Sequence, residues 1–366
     1  MKPSIKKGFA AALACHHGGK IRNIASRMGA GDEILDFSAN INPLGSPPLE
    51  EVILREMRWI GHYPDNEYED FKEAAAAFTG VNPENIVPGN GSSEIIRLFA
   101  EMVVEDGDLV VIPIPTFGEY ETQSRLFGAG IKYVNQLGKR PEIGDSVLKE
   151  AKALFLCNPN NPTGTLLPRK YVAELAKRCE SNETFLLLDE AFIELSDPDE
   201  SLVARAPEME YLIVMRSLTK SFGVPGIRLG FGVANRELAF IMNSARMPWS
   251  ISSIGAAAGA HLLKETAHIE KSRRYIKGEL IWLTEALTNL GLEPLKSSVN
   301  FILVKIEKTG WRSRALAERM LLEKILIRDC SSFAGLNDSF IRVAVRKREE
   351  NERLISALGR VLSCRD

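Results

Sequence analysis

Between Asn85 and Val233 the chain alternates short apolar runs with helical stretches, and this alternation constrains the fold more than any other feature. The runs are Asn85 to Pro88, Leu109 to Ile112, Ile131 to Asn135, Ala153 to Cys157, Thr184 to Leu188, Leu212 to Met215 and Ile227 to Val233. Each is short and mostly apolar, which marks a strand buried on both faces and not a half-exposed one. Helical periodicity fills the gaps, as in Ile95 to Val103 and Tyr171 to Arg178. Strands of this kind separated by helices predict an α/β fold with a mostly parallel sheet covered on both sides. On such sheets ligands bind beyond the carboxyl ends of the strands.

Three chemically capable residues fall just past strand ends. Asn161 follows Ala153 to Cys157, Asp189 follows Thr184 to Leu188, and Lys220 follows Leu212 to Met215. Lys220 sits in a predicted loop of small and hydroxyl residues, with Ser217 three residues before it and Arg228 eight residues after it. An amine flanked by a hydroxyl and a guanidinium suits a phosphorylated carbonyl compound: the amine forms a Schiff base and the neighbours hold the phosphate. Gly91-Ser92-Ser93 opens the helix that runs to Val103. Such a turn either presents backbone N–H groups to an anion or carries a plain serine N-cap. A strand-end carboxylate such as Asp189 keeps a pyridine nitrogen protonated. A protonated pyridine is what makes pyridoxal phosphate an electron sink. Asn161 can donate to the phenolic oxygen of that ring, and Phe117 can stack on its face.

The remaining segments divide the chain. Residues 1–45 read as an N-terminal arm, with His17 as a turn residue capped by Gly18-Gly19 and an extended entry at Asp36 to Gly45. Residues 46–248 form the expected large cofactor domain. Residues 249–366 form a smaller α+β domain, with a long helical region from His261 to Leu290, strands Phe301 to Ile306, Ile325 to Arg328 and Phe340 to Val345, and a final helix from Glu350. A formal net charge of -2 gives no bulk attraction to nucleic acid or to an acidic membrane surface. No apolar run reaches the roughly 20 residues of a membrane helix. Five scattered cysteines without Cys-x-x-Cys spacing indicate neither a metal site nor a disulfide framework, so the cytoplasm is the expected compartment.

Asn161-Pro162-Thr163-Gly164, Asp189-Glu190-Ala191, Ser217-x-x-Lys220 and Arg228 together resemble the fold-type-I pyridoxal-phosphate enzymes, in the branch of the class I/II aminotransferases. The resemblance covers essentially the whole sequence. It implies a homodimer with shared active sites, in which Tyr63 of Tyr63-Pro64-Asp65 reaches the neighbouring subunit's cofactor phosphate. His17-Gly18-Gly19-x-x-Arg22, Asp36 to Gly45, Met247-Pro248-Trp249-Ser250 and Ile325 to Arg328 narrow it to members that decarboxylate a phosphorylated amino acid. That likeness implies a substrate site lined by His17, Gly18, Asn40, Asn161, Arg328 and Arg342, with Arg342 on the substrate carboxylate. Phe192 stands where many relatives carry a tyrosine. The rival expectations are an aminotransferase acting on a phosphorylated amine and a non-catalytic binding module on the same scaffold.

Overall fold

The protein is described by a computed structural model, which describes residues 7–10, 18–19 and 34–364. His17 and Arg22 lie outside the described residues. After the arm strand β1 (Leu35–Asp36), strands β2 (Ile86–Gly89), β3 (Leu109–Ile114), β4 (Gly130–Asn135), β5 (Ala153–Cys157), β6 (Phe185–Asp189), β7 (Leu212–Ser217) and β8 (Gly230–Val233) follow in chain order. β2 to β8 form one seven-stranded sheet in the order β2-β8-β7-β6-β5-β3-β4. β8 runs antiparallel to both β2 and β7, and the other pairings are parallel.

Both faces of the central strands β5, β6 and β7 are buried, as their apolar runs demand, whereas the edge strand β4, from the run Ile131 to Asn135, is half-exposed because no strand covers its outer side. Leu154, Leu156, Leu186 and Leu188 point into one core with Phe71 and Phe231. Their strand neighbours Phe155, Leu187, Ile213 and Met215 point into a second core with Phe99 and Tyr120. The alternation of partners along each strand is the period-two pleat, with apolar residues on both sides.

A second sheet is built from β9 (Glu293–Pro294), β10 (Phe301–Lys305), β12 (Arg328–Asp329) and β13 (Phe340–Ala344), in the order β12-β13-β10-β9. β11 (Ile325–Leu326) leaves this sheet and pairs in parallel with β1 of the arm. The expected single strand Ile325 to Arg328 is therefore two short strands that serve different sheets. Ile327 belongs to neither ladder; Ile325 and Ile327, two residues apart on an extended chain, both enter the third core with Phe37, Ile302 and Val343, while Arg328 pairs with β13.

Two other expectations need correction. The helical region expected from His261 to Leu290 is two helices, Ser253–Leu262 and Thr266–Asn289. The first begins at an N-cap, where the Ser252 side chain accepts from the Gly255 N–H at 3.0 Å. The strand expected from Ile227 begins only at Gly230, because Arg228 adopts φ +60° and turns the chain before the ladder starts. The helix Thr266–Asn289 is shared between bodies: Ile269 packs in the core with Phe71, Ala258 and Leu262, whereas Leu283 and Leu287 pack with Phe37 and Ile302. We propose that the division between the large and small bodies falls within this helix and not at residue 248.

The carboxyl ends of β5, β6 and β7 face one side of the large sheet. The loop Asn158 to Gly164, the Asp189-Glu190-Ala191 turn and the Lys220 segment leave from those ends. The arm residues 36–45 and β12–β13 cover the same side.

Candidate active site

β7 delivers the chain to Ser217, the N-cap of a single helical turn, Leu218–Ser221, where a loop was expected. The turn is fixed at its start by Leu218 N–H donating to the Leu229 carbonyl at 3.2 Å, and at its end by the Asn42 amide donating to the Ser221 carbonyl at 2.7 Å. Lys220 projects from it into a cavity of about 1010 Å³ between the large sheet, the arm and the second sheet. Burial, then the Arg342 and Arg228 cations, pull the Lys220 ammonium down to about 8, with Asp189 opposing them. An amine so tuned is readily freed of its proton near neutral pH, as a nucleophile requires. Ser217 itself is buried, with its hydroxyl 2.8 Å from that of Thr219, and Thr219 is the one that lines the cavity.

Asp189, the last residue of β6, lies at the cavity wall. Its Oδ1 accepts the Ala191 N–H at 2.8 Å, and its Oδ2 accepts the Tyr120 hydroxyl at 2.5 Å. Burial pushes its carboxyl up to about 6; the two donors and Lys220 work against that rise, and Glu190 adds to it. A buried carboxylate held this way is stabilised further by a cationic partner. Phe117 lines the same cavity, with its ring edge-on to Tyr120 at 5.7 Å. Asn161 follows β5, and its Oδ1 accepts from the Arg342 guanidinium. The amide nitrogen is therefore the end left to donate toward a ligand.

The third wall is an anion cradle. Gly91 (φ +74°) is the N-cap of the helix Ser92–Val103 and carries no side-chain cap, so Ser92 and Ser93 occupy the first turn and not the cap. Both serines line the cavity. The Arg228 guanidinium packs directly on the Gly91 Cα, in the space a side chain would fill. At Gly230 a Cβ would come 2.7 Å from both the Ser92 nitrogen and the Arg216 carbonyl. The missing side chains bring the helix N-terminus and a guanidinium to one point, which suits a phosphate.

Opposite the cradle stand two more cations. Arg328 and Arg342 are register partners across β12 and β13, and both line the cavity. Arg342 is buried over the Phe301 ring at 5.2 Å and donates to the Ser38 carbonyl at 2.9 Å. Its Nε has no partner among the described residues. Arg328 donates to the Ser332 hydroxyl at 3.2 Å and lies over Phe333 at 5.4 Å. Asn40 is buried on the cavity wall, and its Oδ1 lacks a partner among the described residues. Gly18 sits against the Ser38 carbonyl, where a Cβ would come 2.5 Å from the oxygen. Gly19 N–H donates to the Ser38 hydroxyl at 3.1 Å. Tyr63 is not brought to this cavity: it is 78% exposed and stacks on Trp249 at 4.5 Å.

Sequence reasoning missed several contributors. Tyr120 lies three residues after Phe117, in the first turn of the helix Glu119–Leu126, and its nearness to Phe117 in the sequence was the available signal. Ser331 to Leu336, which form part of the wall, follow a strand too short to read. Behind Lys220, Arg216 is buried between Glu190 at 3.1 Å and Glu194, and Ser221 donates to Glu194 at 3.3 Å. This cluster ties the Asp189 turn to the Lys220 turn.

A strand-end lysine and carboxylate, an aromatic wall and a helix-terminal cradle, on a mostly parallel seven-stranded sheet, define a pyridoxal-phosphate-dependent enzyme of fold type I. The chain belongs to the aminotransferase class I and II family, whose profile matches residues 32–358. It is 34% identical over 356 residues to the threonine-phosphate decarboxylase of Salmonella typhimurium, covering 95% of this chain and 96% of that one. It is 35% identical over 331 residues to histidinol-phosphate aminotransferase 2 of Archaeoglobus fulgidus, covering 90% and 93%. The crystal structure of the Sinorhizobium meliloti histidinol-phosphate aminotransferase in complex with pyridoxal-5'-phosphate matches with a TM-score of 0.90 at 23% identity, covering 99% and 98%.

Proposed function

We propose that the protein decarboxylates L-threonine O-3-phosphate to (R)-1-aminopropan-2-ol O-phosphate. The observation that carries this reading is the pair Arg328 and Arg342, register partners that both face the Lys220 cavity. They offer two cationic anchors to a substrate with two anions, a carboxylate and a phosphate. The threonine-phosphate decarboxylase of Salmonella typhimurium, 34% identical over nearly its full length, supports the same reading.

Each residue then has a task. Ser92, Ser93 and Arg228 would hold the cofactor phosphate, with Gly91 leaving room for the guanidinium. Ser217 supports this side through Thr219. Asp189 would partner the ring nitrogen, Asn161 would donate to the phenolic oxygen, and Phe117 would cover the ring. When bound, pyridoxal phosphate stores the electron pair released at the substrate Cα. Arg342 holds the substrate carboxylate, and Arg328 holds its phosphate with Asn40, Gly18 and His17. Two anchors on one small molecule fix its torsion and so select which Cα bond reacts. Lys220 carries a proton at Nζ and delivers it to Cα once the carboxylate has left as CO2. A tenfold preference between losing CO2 and losing the Cα proton needs only about 1.4 kcal/mol of differential stabilisation.

The protein acts as a homodimer in this reading. Tyr63 and Trp249 stack on each other and are exposed, as are Trp59, Ile60 and Met247 close to them in the sequence. Burying such a surface against a second copy would bring Tyr63 to the other subunit's cradle.

The second reading is an aminotransferase acting on histidinol phosphate, favoured by the equally close Archaeoglobus relative. Product analysis separates them. Threonine phosphate should give stoichiometric CO2 and aminopropanol phosphate with no oxo-acid present. Turnover of histidinol phosphate that depends on 2-oxoglutarate, without CO2 release, selects the second reading.

A further inference from the structure

Tyr120 has no role in the reaction as assigned above, yet its hydroxyl is a direct hydrogen-bond partner of the Asp189 carboxylate. Its hydroxyl donates to Asp189 Oδ2 at 2.5 Å, while Asp189 Oδ1 accepts the Ala191 N–H at 2.8 Å. Each oxygen of the carboxylate is thus fixed by one donor. The Tyr120 ring is fully buried, stacked on Phe155 at 5.2 Å with 17° between planes, and set edge-on to Phe117 at 5.7 Å. The hydroxyl is therefore held in place by a packed ring and not by a movable side chain. Burial also keeps the phenol protonated, well above its ordinary range, so it acts as a donor throughout the working pH range.

We infer that Tyr120 is a positioning residue that keeps the Asp189 carboxylate ionised and aimed at the cofactor ring. The inference rests on the reading that Asp189 faces the ring nitrogen. The groups that face Asp189 are few. The Tyr120 phenol comes from the helix Glu119–Leu126, the Cys157 thiol from β5, Glu190 from the adjoining turn and the Lys220 amine from the helical turn after β7. Cys157 is pushed up by burial and stays a neutral thiol. Glu190 raises the proton affinity of Asp189, and Lys220 lowers it. Tyr120 is the one side-chain hydrogen-bond donor among them that lowers it. A donor to the charged form favours that form, and a hydrogen bond to a charged group is strong enough to move a proton equilibrium by a factor of ten or more. Without it, burial would drive Asp189 toward the neutral acid near pH 7, and a neutral acid does not stabilise a protonated ring.

The test measures affinity for pyridoxal 5'-phosphate by quenching of tryptophan fluorescence between pH 5.5 and 8.5, in the wild type and in Y120F, F155L and D189N. Taking the ratio of each variant to the wild type cancels the titration of the free cofactor. Y120F keeps the ring and its packing. Its affinity should be about tenfold weaker than the wild type at pH 6 to 7 and approach the wild-type value by pH 8.5. F155L loosens the stacking but leaves the donor, so its ratio should be independent of pH. D189N removes the carboxylate and should weaken binding at every pH by more than Y120F does. A Y120F ratio that is flat with pH, alongside a weakened D189N, overturns the role of Tyr120 and leaves Asp189 in place. Wild-type affinity in D189N would instead overturn the assignment of Asp189, and the inference with it.

Discussion

Removing the charge at Lys220 should stabilise the cofactor-free protein. Its ammonium falls from an ordinary 10.5 to about 8, first through burial and then through Arg342 and Arg228. The unfolded chain binds this proton at any pH below 10.5, whereas the folded chain binds it only below about 8. Between those values the unfolded state holds more protons, so stability rises with pH across that window and is lowest, by a constant amount, beneath it. A depression of this size is worth on the order of 3 kcal/mol for a wholly desolvated group, and water reaching the amine through the cavity mouth reduces it to about 2 kcal/mol. Lys220→Met keeps an unbranched apolar stem and drops the charge. In urea denaturation of cofactor-free protein, the variant should be the more stable by about 2 kcal/mol at pH 7. At pH 9.5 the gap should shrink to below about 1 kcal/mol, because the folded wild type has by then released the proton. A gap of the same size at both pH values, or a less stable variant at pH 7, would refute the claim that a strained charge and not packing governs this site.

Other outcomes follow from the same geometry. Borohydride reduction of the holoenzyme should attach the cofactor to Lys220, and a label found on a different lysine would sink that assignment. Arg328→Ala should lose on the order of tenfold to a hundredfold in kcat/KM for threonine phosphate, since a charge-assisted hydrogen bond is worth about 1.5–3 kcal/mol, and plain threonine should be a far poorer substrate for the wild type. Phe192 is buried edge-on to Phe301 at 5.1 Å and offers no donor. Phe192→Tyr should therefore lower the pH midpoint of the visible absorbance of the lysine-bound cofactor by roughly one unit or less, and a raised or unchanged midpoint counts against it. Arg216→Met should destabilise the protein by about 3–5 kcal/mol in thermal or urea unfolding, because it strands Glu190 and Glu194 without their buried cation.

Much of the sheet was legible because buried parallel strands leave unbroken apolar runs. Ala153 to Cys157 is the clearest case, and Asn161, Asp189 and Lys220 could be placed because they immediately follow such runs. What the pattern misses is decided by backbone geometry or by distant partners. Arg228 sits between apolar neighbours that imitate a strand, so only its positive φ reveals the turn. β11 and β12 are two residues each, too short to carry a period, and their separation depends on β1, nearly three hundred residues away. Tyr120 looked like an ordinary helix residue, because its significance lies in a carboxylate 69 positions downstream. Ser217 matched its motif, yet its hydroxyl turned to Thr219.

Arg228 carries a further consequence. A non-glycine residue at φ +60° pays about 1–3 kcal/mol in backbone strain. Glycine would relieve that strain, and it would also empty the cradle beside Gly91 of its guanidinium. Selection for robustness alone would therefore favour losing the arginine, and selection for holding an anion would keep it. A laboratory lineage propagated for heat tolerance without any demand for turnover should drift to glycine at position 228 early, while one held to turnover should seek its robustness elsewhere. The backbone angle at this position thus records which of the two pressures shaped the molecule.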